Sequence, residues 1–306
     1  MNSINRENPF ENLKVRSLFV WFLVSVPIGV LVAVLIDILI DFDKNPAVQF
    51  VVFGVWLYGL IFIWALWKFN RLGIGFRSFV GNLPKDYQWS QTVCVVVSIL
   101  LFSLGSFWII YYPLSFISPA FVRSVLSKPS LAVLGTSRPI FHNILILLIG
   151  VIIAPVIEEI LFRGILLHRW SIKWDNQRAM LVSSLVFAIP HMDSFFGNFV
   201  FGVVMGMLYI KTRTLIVPII SHMLNNAAAF GLGIFNVFFM SAKTVDVLDE
   251  FRSYVWFGVL CTVLSVPWTV YFIRKNWAVT NDELPHIEAR RTSSEMGTLV
   301  VKAPER

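Results

Sequence analysis

Long runs of apolar residues, separated by short polar segments, occupy most of the chain. Eight such runs occur, at about 17–40, 47–67, 92–117, 142–167, 179–192, 195–210, 214–232 and 253–273. A helix needs about 20 residues to cross a bilayer, because each residue advances it by 1.5 Å. The pattern therefore predicts an all-α, polytopic membrane bundle with about eight transmembrane helices, of which the fifth and sixth are short.

The composition agrees with a membrane protein and argues against a nucleic-acid partner. The chain is 57% hydrophobic and only 14% charged, far less charged than a soluble chain of similar length. The net charge of +7 is explained by basic loops, which are typical of proteins inserted in a bilayer. Both cysteines lie in apolar runs, so a disulfide framework is not expected. We expect a multi-pass protein of the plasma membrane.

The distribution of Lys and Arg predicts the orientation. If the N-terminus lies in the cytoplasm, the cytoplasmic segments hold about three times as many Lys and Arg residues as the opposite side. Such a bias favours cytoplasmic termini at both ends, and hence an even number of crossings.

The polar segments divide the chain into five parts. We predict a cytoplasmic N-terminal segment at 1–16, N-terminal transmembrane helices with an external loop at 17–141, a core with polar motifs at 142–232, an external loop with the last helix at 233–273, and a disordered cytoplasmic tail at 274–306.

Two carboxylates and a guanidinium lie well inside the fourth apolar run, at Glu158, Glu159 and Arg163. An ionisable group at membrane depth costs about 2.5–3.5 kcal/mol and is seldom present without a function. Glu159 and Arg163 are four residues apart, so they share a helix face and can pair. Glu158 points about 100° away and needs a partner on another helix. These residues suit a general base, a helix-packing network or an ion site in a transporter.

Two later runs add polar residues at a similar depth. His191 follows Phe187 by four residues, and Asn226 follows His222 by four. Counted from the expected cytoplasmic ends, Glu158 and these three polar residues lie roughly 12–18 Å deep. A histidine with an amide one turn away can bind a metal, or hold a water and an oxyanion. The common depth predicts that the polar residues meet in one layer.

Together these motifs resemble those of the CPBP family, also called Abi. The matching stretches are Glu158-Glu159-x-x-x-Arg163, Phe187-x-x-x-His191, Phe199-x-x-Gly202-x-x-x-Gly206 and His222-x-x-x-Asn226. The family includes CAAX prenyl proteases and bacteriocin-processing or immunity proteins, and the resemblance covers about residues 142–232. No His-Glu-x-x-His motif occurs, so a zincin-like site is excluded.

The resemblance implies an intramembrane endopeptidase whose site opens toward the cytoplasm. It implies that Glu158 activates a water molecule and that His191 helps to hold that water or a metal ion. His222 and Asn226 would stabilise the oxyanion or share the metal. The expected substrate is a membrane-associated or lipidated protein or peptide.

The resemblance also implies a supporting role for Glu159 and Arg163, which would orient the site. The family is described both as glutamate-type and as metal-dependent, and the sequence leaves both mechanisms open. In the second mechanism Glu158, His191 and His222 would bind Zn²⁺.

Two further hypotheses remain open at this stage. A non-enzymatic immunity or regulatory scaffold would keep the fold and use its cavity for binding. An ion- or proton-coupled transporter would also carry buried acids, but it predicts broken helices in two internal repeats, which the sequence does not show.

Overall fold

The chain forms a bundle of helices. The structure, a computed structural model, describes residues 8–40, 46–127, 139–239, 246–282 and 284–285. The helices within these ranges are α1 Arg16–Ile40, α2 Pro46–Leu72, α3 Phe76–Val80, α4 Trp89–Ile117, α5 Pro119–Leu126, α6 Pro139–Ser171, α7 Asn176–Ala188, α8 Phe195–Thr212, α9 Ile216–Phe239, α10 Val247–Ser253 and α11 Val255–Asn276. Short 3₁₀ turns follow α7, at Ile189–Ser194, and α11, at Trp277–Asn281.

Seven helical segments in the described ranges are long and apolar enough to cross a membrane. One of them, Asn176–Thr212, combines α7 and α8 and therefore contains both of the short runs seen in the sequence. The segment folds back on itself, because Gly202 lies against Ser184 and Gly206 lies against Met180. Small residues allow this close antiparallel approach. The prediction of an all-α, polytopic membrane bundle is confirmed.

The two described ends of the chain lie at the same end of the bundle. Near the N-terminus, the Leu13 carbonyl accepts a hydrogen bond from Arg169 Nε at 2.9 Å. Near the C-terminus, the Asp282 carbonyl accepts one from Asn176 Nδ2 at 2.7 Å. Both donors flank the short connection between α6 and α7. The arrangement is the one that an even number of crossings requires, and the cytoplasmic location of this end stays a prediction.

Helical structure near the C-terminus continues past the predicted start of the tail. The disordered tail was expected to begin at residue 274, but helix α11 continues to Asn276 and a 3₁₀ turn follows to Asn281. Apolar residues on this turn pack against the main core, which stabilises the extension. The rest of the predicted tail, from residue 286, and the first seven residues lie outside the described residues.

Helix α5 lies in the part of the chain that the sequence predicts as an external loop. Val122 and Val125 on this helix are buried, whereas Phe121 is half-exposed. The buried side packs against Leu248 and Phe251 of α10 and forms a small second core. Residues 128–138 of the same loop lie outside the described residues.

Helices α4 and α11 pack closely through two glycines. A Cβ atom added to Gly258 would lie 2.1 Å from the Cβ of Trp108, and one added to Gly105 would lie 2.8 Å from the backbone nitrogen of Thr262. Such contacts let transmembrane helices approach, and any larger residue forces them apart.

Gly258→Ala is therefore expected to destabilise the protein by about 1–3 kcal/mol, the usual cost of overpacking a tight contact. The measurement is the thermal unfolding midpoint in detergent. Gly59→Ala is the matched control, because a Cβ there meets no neighbouring atom within 4 Å in the described part of the chain. Equal midpoints for both variants would contradict this account of the packing.

Candidate active site

The backbone of α6 is irregular on both sides of the two glutamates. Two π-helical stretches, Leu148–Ile153 and Ile160–Leu167, flank a regular α-helical turn at Ala154–Glu159. The N–H of Ala154 donates to the carbonyl of Ile149, five residues back. π-helical turns of this kind often occur at functional sites. The irregularity therefore marks the part of α6 that presents Glu158 and Glu159.

Proline explains how the first π-helical stretch is joined to α9. The next bond in the five-residue register would run from Pro155 to the Gly150 carbonyl, but proline has no N–H. The Gly150 carbonyl instead accepts a hydrogen bond from Asn226 Nδ2 at 2.9 Å. Asn226 thus ties α9 to the turn that precedes the glutamates.

A buried ionic network lies at the centre of the site. Glu159 Oε1 accepts hydrogen bonds from Arg163 at 2.7 Å and from His222 Nδ1 at 2.8 Å. Arg163 also donates to the Gly202 carbonyl on α8 at 3.0 Å. All three side chains are almost fully buried. The network therefore joins α6, α8 and α9 at one point.

The network compensates the cost of burying its charged groups, except at one oxygen of Glu159. The guanidinium neutralises the Glu159 carboxylate, and each hydrogen bond offsets part of the cost of removing these groups from water. Glu159 Oε2 is buried and has no hydrogen-bond partner among the described residues. The carboxylate therefore depends on Arg163 and His222 for its stabilisation.

Glu158 lies beside this network and is less buried, with 14% of its side chain exposed. Its Oε1 accepts a hydrogen bond from the Tyr58 hydroxyl of α2 at 2.7 Å. Its Oε2 faces His222 Nε2 at 3.7 Å. The imidazole of His222 thus lies between two carboxylates, with Nδ1 on Glu159 and Nε2 toward Glu158. Donation from Nδ1 fixes the tautomer and leaves Nε2 available to a reactant.

Aromatic rings enclose the histidines. The Phe187 ring stacks on His191 at 5.2 Å between ring centroids and meets His222 edge-on at 5.8 Å. The Arg163 guanidinium lies 5.1 Å from the centre of the same ring. Phe201 of α8 meets His222 edge-on at 4.7 Å. These rings hold the imidazoles in fixed orientations and limit the access of water to the buried ion pair.

His191 lies at the edge of the cluster, where α7 ends. It belongs to the Ile189–Ser194 turn, with backbone angles φ −108° and ψ 44° that are not helical. Its Nδ1 lies 3.0 Å from the Phe187 carbonyl, which can only accept, so the ring nitrogen donates. His191 is half-buried, and the Phe187 ring connects it to His222.

The structure brings some of the sequence-predicted residues together and leaves others at the margin. Glu158, Glu159, Arg163 and His222 form one contact cluster. His191 is one aromatic ring away, and the amide of Asn226 is bound to backbone. The catalytic roles expected for these residues stay predictions.

Sequence reasoning missed two residues of the site, Tyr58 and Phe201. Tyr58 lies within the second apolar run, where a single hydroxyl is a weak signal, and Phe201 lies in the glycine motif of α8. Their contacts depend on how α2 and α8 pack against α6 and α9. Only the need of Glu158 for a partner on another helix pointed toward Tyr58.

The predicted zinc site does not fit the described arrangement. No group of three His, Cys, Asp or Glu side chains within the described ranges is close enough to hold a metal ion. Glu158 and His222 face each other, whereas the hydrogen bond of His191 is made to backbone. Zn²⁺ bound by Glu158, His191 and His222 stays a prediction from the sequence.

Residues 140–228 match the model of a family described as type II CAAX prenyl endopeptidase, Rce1-like. The matched range contains Glu158, Glu159, Arg163, His191, His222 and Asn226, but not Tyr58. No solved structure matches the chain.

Two similar proteins each match a part of this chain. The membrane-embedded CAAX protease MroQ of Staphylococcus aureus (strain USA300) is 40% identical over 83 residues, which cover 24% of this chain and 34% of MroQ. The YdiL protein of Bacillus subtilis (strain 168) is named as a candidate membrane peptidase. It is 32% identical over 84 residues, which cover 27% of this chain and 34% of YdiL. The match therefore spans about a third of the length of each relative. Residues 140–228 are therefore similar to the Rce1-like CAAX prenyl endopeptidases, and the polar motifs noted in the sequence lie within this range.

Proposed function

We propose that this protein is an intramembrane endopeptidase of the plasma membrane that uses Glu158 to activate water. The observation that carries the proposal is the pairing of a partly exposed carboxylate with a fixed imidazole. Glu158 Oε2 and His222 Nε2 lie 3.7 Å apart. The other oxygen of Glu158 accepts a hydrogen bond from Tyr58, and the other ring nitrogen of His222 donates one to Glu159. General acid–base catalysis requires such a positioned proton acceptor beside the reacting atoms.

The geometry suits a water molecule placed beside this pair. A water about 2.8 Å from each atom donates one hydrogen to Glu158 Oε2 and the other to His222 Nε2. As the water oxygen attacks the carbonyl carbon of the substrate, Glu158 takes one proton. When the C–N bond breaks, Glu158 returns that proton to the leaving amine, so the net reaction adds one water to the peptide bond.

The remaining polar residues position this pair. Glu159 accepts from His222 Nδ1, and Arg163 holds Glu159, so the imidazole keeps one orientation. Asn226 holds α9 against α6 through the Gly150 carbonyl. His191 lies at the half-buried margin, where its second ring nitrogen suits contact with the substrate backbone.

The proposed substrate is a membrane-associated or lipidated protein or peptide. The reacting side chains lie within helices long and apolar enough to cross the bilayer, so a peptide held at the membrane reaches them more readily than one free in water. The similarity to MroQ, which is named as a CAAX protease, supports the same substrate class.

The test uses purified protein in lipid nanodiscs with a library of fluorogenic peptides, each made in a lipid-anchored and a soluble form. The double variant Glu158→Gln/His222→Gln, purified in parallel, controls for contaminating proteases. We expect cleavage of anchored peptides by the wild-type protein alone. Metal analysis of the same samples separates a glutamate-type enzyme from a metal-dependent one. Cleavage at equal rates by both proteins, or by neither, would overturn the proposal.

A further inference from the structure

One face of α2 packs into the bundle and carries a single hydroxyl group toward α6. This face repeats at helical spacing, and its members are Gly54, Tyr58, Ile61, Ala65 and Phe69. All of them are buried except Tyr58, which is partly buried. Residues three and four apart lie on one side of a helix, so the Tyr58 ring leaves α2 on its packed side. The opposite side of α2, with Trp56 and Leu60, lines an apolar groove against α1.

The approach of α2 to α6 is set one helical turn before Tyr58. A Cβ atom added to Gly54 would lie 3.0 Å from Cγ2 of Ile149, which belongs to the first π-helical stretch. A larger residue at Gly54 would therefore press on that stretch. Gly54 allows the close approach, and Tyr58, four residues later, then reaches Glu158 with its hydroxyl. The backbone contact and the hydroxyl contact belong to the same packing arrangement.

The Tyr58 hydrogen bond distinguishes the two oxygens of Glu158. Oε1 accepts the hydroxyl at 2.7 Å, and Oε2 is the oxygen that faces His222 Nε2 at 3.7 Å. A free glutamate side chain can rotate about its terminal bond, which has a broad energy profile. The hydroxyl removes this freedom and keeps one oxygen directed toward the imidazole.

We propose that Tyr58 is a positioning residue for the reaction: it holds the Glu158 carboxylate so that Oε2 faces His222 and the attacking water. This inference rests on the proposed function. It also assigns part of the site to α2, outside the core at residues 140–228 that matches the family model. The N-terminal helices then contribute directly to the reaction geometry, in addition to surrounding the core.

Tyr58→Phe tests this role, because it removes only the hydroxyl and keeps the ring. We expect kcat to fall by about 10- to 100-fold, as for the loss of a hydrogen bond to a charged group. KM should stay within roughly twofold of the wild-type value. The thermal midpoint should stay within about 2 °C of the wild-type value. The substrate is the best lipid-anchored peptide of the library described above.

Tyr87→Phe is the matched control. The Tyr87 hydroxyl is also hydrogen-bonded, to Thr92 at 2.5 Å, but Tyr87 lies just before α4 and forms no hydrogen bond with the cluster among the described residues. We expect wild-type kcat from this variant. A loss of kcat in both tyrosine variants would overturn the positioning role.

The remaining outcomes separate the inference from the proposed function. If Tyr58→Phe cleaves like the wild type while Glu158→Gln does not, Tyr58 has no positioning role and the proposed function stands. If Tyr58→Phe loses activity only in proportion to a lower thermal midpoint, its role is structural and the inference is wrong. If Glu158→Gln cleaves like the wild type, the proposed function itself fails.

Discussion

Replacing Glu158 by glutamine is expected to lower the rate of peptide cleavage by roughly 10²–10⁴-fold, the usual contribution of a positioned acid–base group. The amide has nearly the same shape as the carboxylate, and its oxygen can still accept the Tyr58 hydrogen bond. It cannot take a proton from water. The loss should therefore appear in kcat, with little change in KM.

The control for this variant is Glu250→Gln, on α10 at the small second core. That substitution also removes one carboxylate but lies outside the cluster, and we expect wild-type cleavage. Thermal unfolding of both variants should match the wild type, because Glu158 is partly exposed and lies beside, not within, the ion pair. A Glu158→Gln protein that unfolds at a lower temperature would indicate a structural role instead.

Arg163→Met should have the largest effect on stability. Glu159 and Arg163 are 0% and 1% exposed, so the substitution leaves a buried carboxylate without its cation. Breaking one side of a buried ion pair typically costs about 3–5 kcal/mol. The Gly202 carbonyl on α8 also loses its donor. We expect a large fall in the thermal midpoint, together with loss of cleavage because His222 is no longer held in place.

The double variant Glu159→Gln/Arg163→Met distinguishes lost charge balance from lost packing. Removing both charges leaves no uncompensated ion, so the double variant should be more stable than Arg163→Met alone. Arg169→Met is the matched control on the same helix: that arginine donates to the Leu13 carbonyl and is only partly buried. A double variant no more stable than the single one would contradict the electrostatic account.

Much of the architecture follows from the lengths of the apolar runs, because the thickness of the bilayer fixes how many residues a crossing helix needs. The sequence pattern placed the short pair at 179–192 and 195–210, and the structure shows why they are short. Asn176–Thr212 is a hairpin whose glycine face lies against Ser184 and Met180. The sequence predicts that the tail begins at residue 274, but the turn after α11 packs against the hydrophobic core. The length of an apolar run does not predict such packing.

The Glu159–Arg163 pair was predictable because both residues are on one helix, where a spacing of four fixes their proximity. The contact of Tyr58 with Glu158 was not, because it joins residues 100 positions apart through the packing of α2 on α6. The similar depth of these residues in the membrane predicted that His222 lies near the glutamates, and His222 is hydrogen-bonded to Glu159. Depth alone does not predict the partner of the Asn226 amide. That partner is the Gly150 carbonyl, which receives no hydrogen bond from Pro155 because proline has no N–H.

The most direct test of Glu158 as the residue that activates water follows the oxygen of that water into the product. The wild-type protein and Glu158→Gln are incubated with a lipid-anchored peptide in water enriched in ¹⁸O, and the new carboxyl terminus is analysed by mass spectrometry. We expect one ¹⁸O atom per cleaved bond from the wild type, and a rate of labelled product lower by roughly 10²–10⁴-fold in the variant. Labelled product formed at the same rate by both proteins would contradict the account.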